Sequence, residues 1–261
     1  MMAATVVIHP ASRYNSPVPI TRKQLVFFVL GGFFLTNAIL GELTGGKLFA
    51  MPALDLGLFR LPSVVLSIGV IPWPVVFITT DLINEYFGKP GVRKLTFLAV
   101  GMISYSFAIL FAAIYVPTWD KSPVTYEQFH AVFGQSMWII VGSITAFLLA
   151  QLLDVIIFQA VKQRTGHRLL WLRATGSTLI SQIIDTFVVG FIAFVVPHLL
   201  NPEKGLAFAK FVPLAFGNYT YKLIIAVLIT PIIYLVHGVI DRYLAGEIDE
   251  VVQTAASHPG D

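Results

Sequence analysis

The stretch Gly176-Ser177-Thr178-Leu179-Ile180-Ser181-Gln182-Ile183-Ile184-Asp185-Thr186-Phe187-Val188-Val189-Gly190-Phe191-Ile192-Ala193-Phe194-Val195-Val196 decides the fold class. Crossing the hydrocarbon of a bilayer as a helix takes about 20 mostly apolar residues, and this stretch has that length. Its polar groups are not scattered. Thr178, Ser181, Gln182 and Asp185 fall on adjacent turns of one helical face. A polar stripe with a carboxylate on an otherwise apolar helix turns toward other helices, not toward lipid. The stretch therefore predicts a membrane-spanning helix that starts near Trp171 or Gly176 and ends at Val196, inside a bundle of several such helices.

Five further stretches have the same character: Gln24 to Leu43, Leu61 to Ile83, Leu95 to Val116, Gly134 to Val161, and Leu214 to Ile240. Composition agrees. Of 261 residues, 56% are hydrophobic and 12% charged, whereas soluble domains carry about 25% charged residues. A soluble core could not hide that much apolar surface, but hydrocarbon can solvate it. The expected fold is an all-α membrane protein with about six transmembrane helices spanning residues 24–240. The tail 1–23, with Pro10, Pro17 and Pro19, reads as flexible. No cleavage pattern precedes the first apolar stretch, so that stretch should be retained as a helix. The tail 241–261 carries Asp241, Glu247, Asp249, Glu250 and Asp261 and reads as an acidic, solvated and partly mobile end. Pro62, Pro72 and Pro74 predict a kinked or broken second helix, and Pro231 a kink in the sixth.

Lysine and arginine set the topology. Arg13, Arg22, Lys23, Lys89, Arg93, Lys94, Lys162, Arg164, Arg168, Arg173 and Arg242 fall on one side, and Lys47, Arg60, Lys121, Lys204 and Lys210 on the other. Both termini should be cytoplasmic, with the chain crossing the inner membrane several times. Between the third and fourth helices, Tyr126, Phe129, Val132 and Phe133 share one face of a short helix, which suits an interfacial helix, or else a gate over a site.

Several function classes drop out. A net charge of +3 without a basic block does not suit nucleic acid. With no cysteine, there can be no disulfide and no thiolate chemistry. The sequence has no HExxH, P-loop or GxSxG motif, and His9, His130, His167, His198, His237 and His258 are scattered. No metal, cofactor or enzymatic activity is expected. Transport by this chain would be facilitative, ion-coupled or driven by a partner.

Ionisable and amide groups at bilayer depth mark the candidate site, because burying them there is costly. Asp81 and Glu85 are four residues apart on one helical face. They either look into a cavity or pin a loop by pairing with Arg93 or Lys94. Gln151 and Asp154 are spaced i, i+3 in an apolar context and must face the bundle, as interhelical hydrogen-bonding groups or as ligand contacts. Asp81 and Asp154 open the similar triplets Asp-Leu-Ile and Asp-Val-Ile. Asn218 and Lys222 are i, i+4. Lys222 lies well inside a predicted helix and needs Asp154 or Asp185 as its partner, unless it snorkels outward. The first helix adds Asn37 and Glu42, with Gly41 and Gly45 at a GxxxG spacing.

Several of these segments, in this order, resemble the queuosine precursor transporter family, also described as vitamin uptake transporters. They are Ile78-Thr79-Thr80-Asp81-Leu82-Ile83-Asn84-Glu85-Tyr86-Phe87-Gly88 with Arg93 and Lys94, Ala150-Gln151-Leu152-Leu153-Asp154, and Trp171-Leu172-Arg173 running into Gly176-Ser177-Thr178-Leu179-Ile180-Ser181-Gln182 and Asp185-Thr186. Asn218-Tyr219-Thr220-Tyr221-Lys222 completes the set. Members often carry asparagine where this chain has Ala174 or Thr175. The resemblance covers about Leu25 to Ile240. It implies uptake of a 7-deazaguanine, 7-cyano-7-deazaguanine or its aminomethyl relative, for making queuosine in tRNA. It also implies a bundle similar to the substrate-binding subunits of energy-coupling-factor vitamin transporters.

Such a ligand offers two adjacent N–H donors, which one carboxylate accepts in a charge-assisted bidentate pair. Asp185 or Asp154 would supply it. Gln182, Gln151, Asn218 or Lys222 would serve the ligand carbonyl, and Trp73, Phe77, Trp138 or Tyr219 the ring face. The alternatives are a vitamin-binding subunit working with a separate ATPase and a non-transport membrane scaffold. Gly-rich faces are compatible with a homodimer.

Overall fold

The computed structural model describes residues 20–257, apart from 46, 53, 56–59, 62, 135–136, 166–168 and 204. The expected flexible tail through residue 19, with Arg13, and also Pro62, Arg168 and Lys204 lie outside the described residues.

Helix α1 is Arg22–Leu43. Thr21 caps it: its hydroxyl accepts from the Gln24 amide at 3.2 Å, and the Gln24 side chain accepts from the Thr21 amide at 3.0 Å. Among the described residues, four short strands follow. β1 (Leu48–Met51) pairs antiparallel with β4 (Val64–Ser67), with Leu48 opposite Ser67. Nested inside, β2 (Leu54–Asp55) pairs with β3 (Arg60–Leu61). The expected second helix, from Leu61, therefore starts too early: Leu61 ends a strand, and a 3-10 turn over Ile68–Val70 leads into α2 (Trp73–Ile114). Pro72 caps α2 and Pro74 sits in its first turn, where a missing N–H costs nothing. These two prolines start the helix; they do not kink it.

Helix α2 also runs through residues that the sequence assigned to a loop, but it is not straight. Gly88 has φ 64 and ψ −171, a backbone that glycine adopts freely, and Pro90 follows. The chain doubles back there. Gly41, late in α1, lies against Trp73 at the start of α2; Phe27, early in α1, meets both Phe87 and Gly91; and Gly31 lies against Leu95. The two halves of α2 are thus antiparallel, and both line α1.

α3 (Tyr126–Phe133) is short and capped by Thr125 and Gln128. α4 (Met137–Thr165) packs most extensively on α5 (Leu170–Gly190). A π-helical turn over Phe191–Val195 joins α5 to α6 (Val196–Leu200). α7 (Phe208–Leu228) packs on α5. The expected sixth helix, Leu214 to Ile240, is divided: α7 stops at Leu228, and Thr230 and Pro231 open α8 (Thr230–Ser257). Pro231 again starts a helix, and α8 carries on as helix into the expected acidic tail as far as Ser257; Asp261 lies outside the described residues. α8 crosses one end of the bundle. Tyr234 accepts from the Trp171 amide at 3.1 Å, Tyr86 donates to Asp241 at 2.7 Å, and Arg22 donates to the Tyr243 carbonyl at 3.0 Å.

Among the described residues, five helical runs are long and apolar enough to cross a membrane: Arg22–Leu43, Ile68–Ile114, Tyr126–Thr165, Leu170–Leu200 and Phe208–Leu228. Because the second folds back at Gly88, six apolar helical segments lie side by side. Phe28 is 63% exposed and Phe33 58% exposed on the outside of α1. In water, apolar faces of that size invite aggregation; in a bilayer, acyl chains solvate them. This is a multi-pass, all-α membrane protein.

Gly190 marks a close approach between helices, because a Cβ there would overlap the Phe211 ring of α7. Gly190→Ala should lower stability by about 1–3 kcal/mol through overpacking, seen as an earlier thermal transition in detergent. Adding Phe211→Leu should restore most of the loss.

Candidate functional site

The inner faces of α2, α4 and α5 meet in a small cavity lined by Trp73, Phe77, Thr80, Phe147, Ala150, Gln151, Asp154, Thr178, Ser181, Gln182 and Asp185. Its volume is about 10 Å³, room for about one water. Helical periodicity assembles it. Gln151 and Asp154 project from one face of α4, and Thr178, Ser181, Gln182 and Asp185 from one face of α5. One wall is aromatic: Trp73 stacks on Phe77 with centroids 6.0 Å apart and tilts against Phe147 at 5.8 Å.

The polar wall is rich in acceptors without partners. Ser181 donates to one Asp154 oxygen at 3.2 Å, and the hydroxyls of Ser177 and Thr178 lie beside it. The second Asp154 oxygen has no hydrogen-bond partner, nor do the side-chain carbonyl oxygens of Gln151 and Gln182. Gln151 reaches Thr80 with its amide nitrogen at 3.4 Å. Buried polar atoms are normally paired, so three unsatisfied acceptors around one cavity mark a place for a ligand's donors.

Asp185 is different. Lys222 of α7 holds it at 2.5 Å, with both side chains largely buried. Lys222 thus takes Asp185 as its partner, leaves Asp154 unpaired and does not snorkel. Glu42 accepts from Ser143 and lies within electrostatic range of Asp185 and Lys222.

The other candidates from the sequence lie off the cavity wall. Asn37 donates to the Phe33 carbonyl at 2.8 Å, and Asn218 to the Leu214 carbonyl at 3.0 Å, each within its own helix. Tyr219 donates to the Leu179 carbonyl at 3.1 Å, and Trp138 is 40% exposed. Glu85 pairs with Arg173 at 2.8 Å and Lys162 at 3.0 Å, in place of the expected Arg93 or Lys94. It joins α2 to α4 and α5 as a structural tie. Asp81 is buried beside Asp154, close enough for the two charges to repel.

Residues 67–236 match the family described as "putative vitamin uptake transporter". The chain belongs to this family. The matched span includes every residue that lines the cavity. Among the relatives of this chain is a "Probable queuosine precursor transporter" of Bacillus subtilis (strain 168), 31% identical over 130 residues, 49% of this chain and 56% of that one. The "Queuosine precursor transporter" of Escherichia coli (strain K12) is 29% identical over 180 residues, 65% of this chain and 73% of that one. A "Probable queuosine precursor transporter" of Haemophilus influenzae is 28% identical over 191 residues, 70% of this chain and 74% of that one. The chain thus spans just over half the length of the Bacillus subtilis relative. No solved structure matches it.

Sequence reasoning missed Phe147 and Thr80 in the wall of the cavity. Phe147 lies one turn before Gln151 on α4, so the helical face that picked out Gln151 and Asp154 contained it. Its apolar surroundings masked it.

Proposed function

We propose that this protein carries a queuosine precursor, a 7-deazaguanine, across the inner membrane into the cytoplasm. The observation that supports this reading most is the pairing of an unpaired Asp154 oxygen with two unpaired glutamine oxygens, against an aromatic wall. A deazaguanine has complementary features: a flat ring to stack, two adjacent N–H donors for a carboxylate, and a carbonyl that a turned glutamine amide can serve. The names of the relatives point to the same cargo. A bicyclic ring needs more room than about 10 Å³, so loading requires the walls to part. The basic end of the bundle, with Lys89, Arg93, Lys94 and Lys162, would face the cytoplasm, and both termini with it. The homodimer reading rests on Gly32, Gly101 and Gly176, where open space lets a second helix approach.

The test uses a bacterium that lacks both precursor synthesis and its own transporter. Expressing this protein and feeding nanomolar 7-cyano-7-deazaguanine should restore queuosine in tRNA. A well-expressed, membrane-inserted protein that restores none overturns the reading. In the same cells, Trp73→Ala should reduce uptake more than Trp138→Ala does. Losing a stacking face costs about 1–3 kcal/mol, about 5- to 150-fold in affinity, whereas Trp138 lies outside the cavity.

A further inference from the structure

Inside the bundle, most buried carboxylates have a compensating neighbour. The Glu85 side chain holds Arg173 and Lys162, and Asp185 holds Lys222. Glu42 accepts from Ser143 and feels the Lys222 charge. Asp81 and Asp154 differ. They approach one another from α2 and α4, are 2% and 6% exposed, and have no ion-pair partner among the described residues. Each has one oxygen without a hydrogen bond. Around them, two further buried groups are unsatisfied: the Gln151 carbonyl oxygen on the cavity side, and the Asn84 amide nitrogen one turn along from Asp81. Of the charged groups around the pair, Glu85 lies one turn beyond Asp81 and is held by Arg173 and Lys162, while Asp185 shares the cavity wall with Asp154 and is held by Lys222, near Glu42. Every cation in that set already has an anion.

We propose that Asp81 and Asp154 form a proton-binding pair with one exchangeable proton between them, and that this proton crosses the membrane with the substrate. The proposal rests on the transport reading above. Two adjacent carboxylates in a dry interior cannot both stay ionised, so one proton is bound. A ligand that presents two N–H donors needs Asp154 as the anion, which sends the proton to Asp81. The cavity can then close over ligand and proton together. An unprotonated pair would set a second negative charge against the first, with no cation to offset it, and that repulsion resists closure. No bond but the O–H bond changes: the proton enters from one side of the membrane and leaves on the other.

The experiment uses purified protein in proteoliposomes and labelled 7-cyano-7-deazaguanine. With the outside more acidic by about one pH unit, wild-type accumulation should rise about tenfold for one proton per substrate, and a protonophore should abolish the rise. Asp81→Asn should still exchange internal for external ligand but lose the gradient-driven accumulation. Accumulation that follows a sodium gradient and ignores pH, or an Asp81→Asn variant that responds like wild type, overturns the proposal. A ligand-free measurement separates it from the transport reading. Infrared spectra at neutral pH should contain a protonated-carboxyl stretch with one component missing in both Asp81→Asn and Asp154→Asn. If that component is present but no deazaguanine moves, the cargo reading fails and the proton pair stands. If deazaguanine moves but the component is absent, the proton pair falls and the cargo reading stands.

Discussion

Asp154→Asn should abolish substrate uptake while leaving a folded, membrane-inserted protein. The carboxylate sits in the cavity wall with one oxygen held by Ser181 at 3.2 Å and the other without a partner. Asparagine has nearly the same shape, and its amide oxygen can keep the Ser181 contact, so packing should survive. What it loses is the anion. Hydrogen bonds to a charged group are worth about 1.5–3 kcal/mol each, and two to one carboxylate make Asp154 worth at least about 3 kcal/mol, ~100-fold or more in affinity. The asparagine NH2 would also point a donor at the ligand's donors, which adds repulsion. Equilibrium binding of 7-cyano-7-deazaguanine to the purified variant, with queuosine in tRNA as the cellular readout, tests this. An unchanged Kd would remove Asp154 from the site.

The sequence carried the bundle because hydrophobic length is a strong, local signal. The spans Gln24 to Leu43, Leu95 to Val116 and Gly134 to Val161 each differ by a few residues from observed helices. It failed where an apolar stretch need not be helical. Val64 to Ser67 lies in an apolar stretch, but the chain there pairs with β1, and Leu61 pairs with Leu54 of β2. In the same way, Leu214 to Ile240 reads as one span because nothing apolar is lost at Ile229, where α7 ends. The partners of the buried charges were harder still. Glu85 could be seen to need a cation, but that Arg173 and Lys162 supply it depends on how α2, α4 and α5 pack together. Between Asp154 and Asp185, spacing alone gave no way to choose. The choice lies with Lys222, 37 residues beyond Asp185 and on another helix.

That choice makes Lys222→Met the second large effect, and one on stability. Lys222 is the cation at 2.5 Å from Asp185, with the two side chains 14% and 11% exposed. Removing one partner of a buried pair strands the other's charge, which costs about 3–5 kcal/mol. Here the cost falls on two groups, since Glu42 also lies near Lys222. The single variant should therefore express poorly and unfold well below wild type in detergent. Asp185→Asn alone should also destabilise, because it leaves Lys222 buried without its partner. The double variant Lys222→Met with Asp185→Asn removes both charges and should recover most of the stability, since a pair replaced by neutral groups of similar volume is often close to neutral. Its uptake decides between two roles for the pair. Recovered stability with substantial uptake makes Asp185 and Lys222 a structural tie between α5 and α7, with Asp154 as the ligand's carboxylate. Recovered stability with no ligand binding would put Asp185 in contact with the substrate, with Lys222 positioning it. A single Lys222→Met variant as stable as wild type would mean that the ion pair contributes nothing to holding α7 on α5.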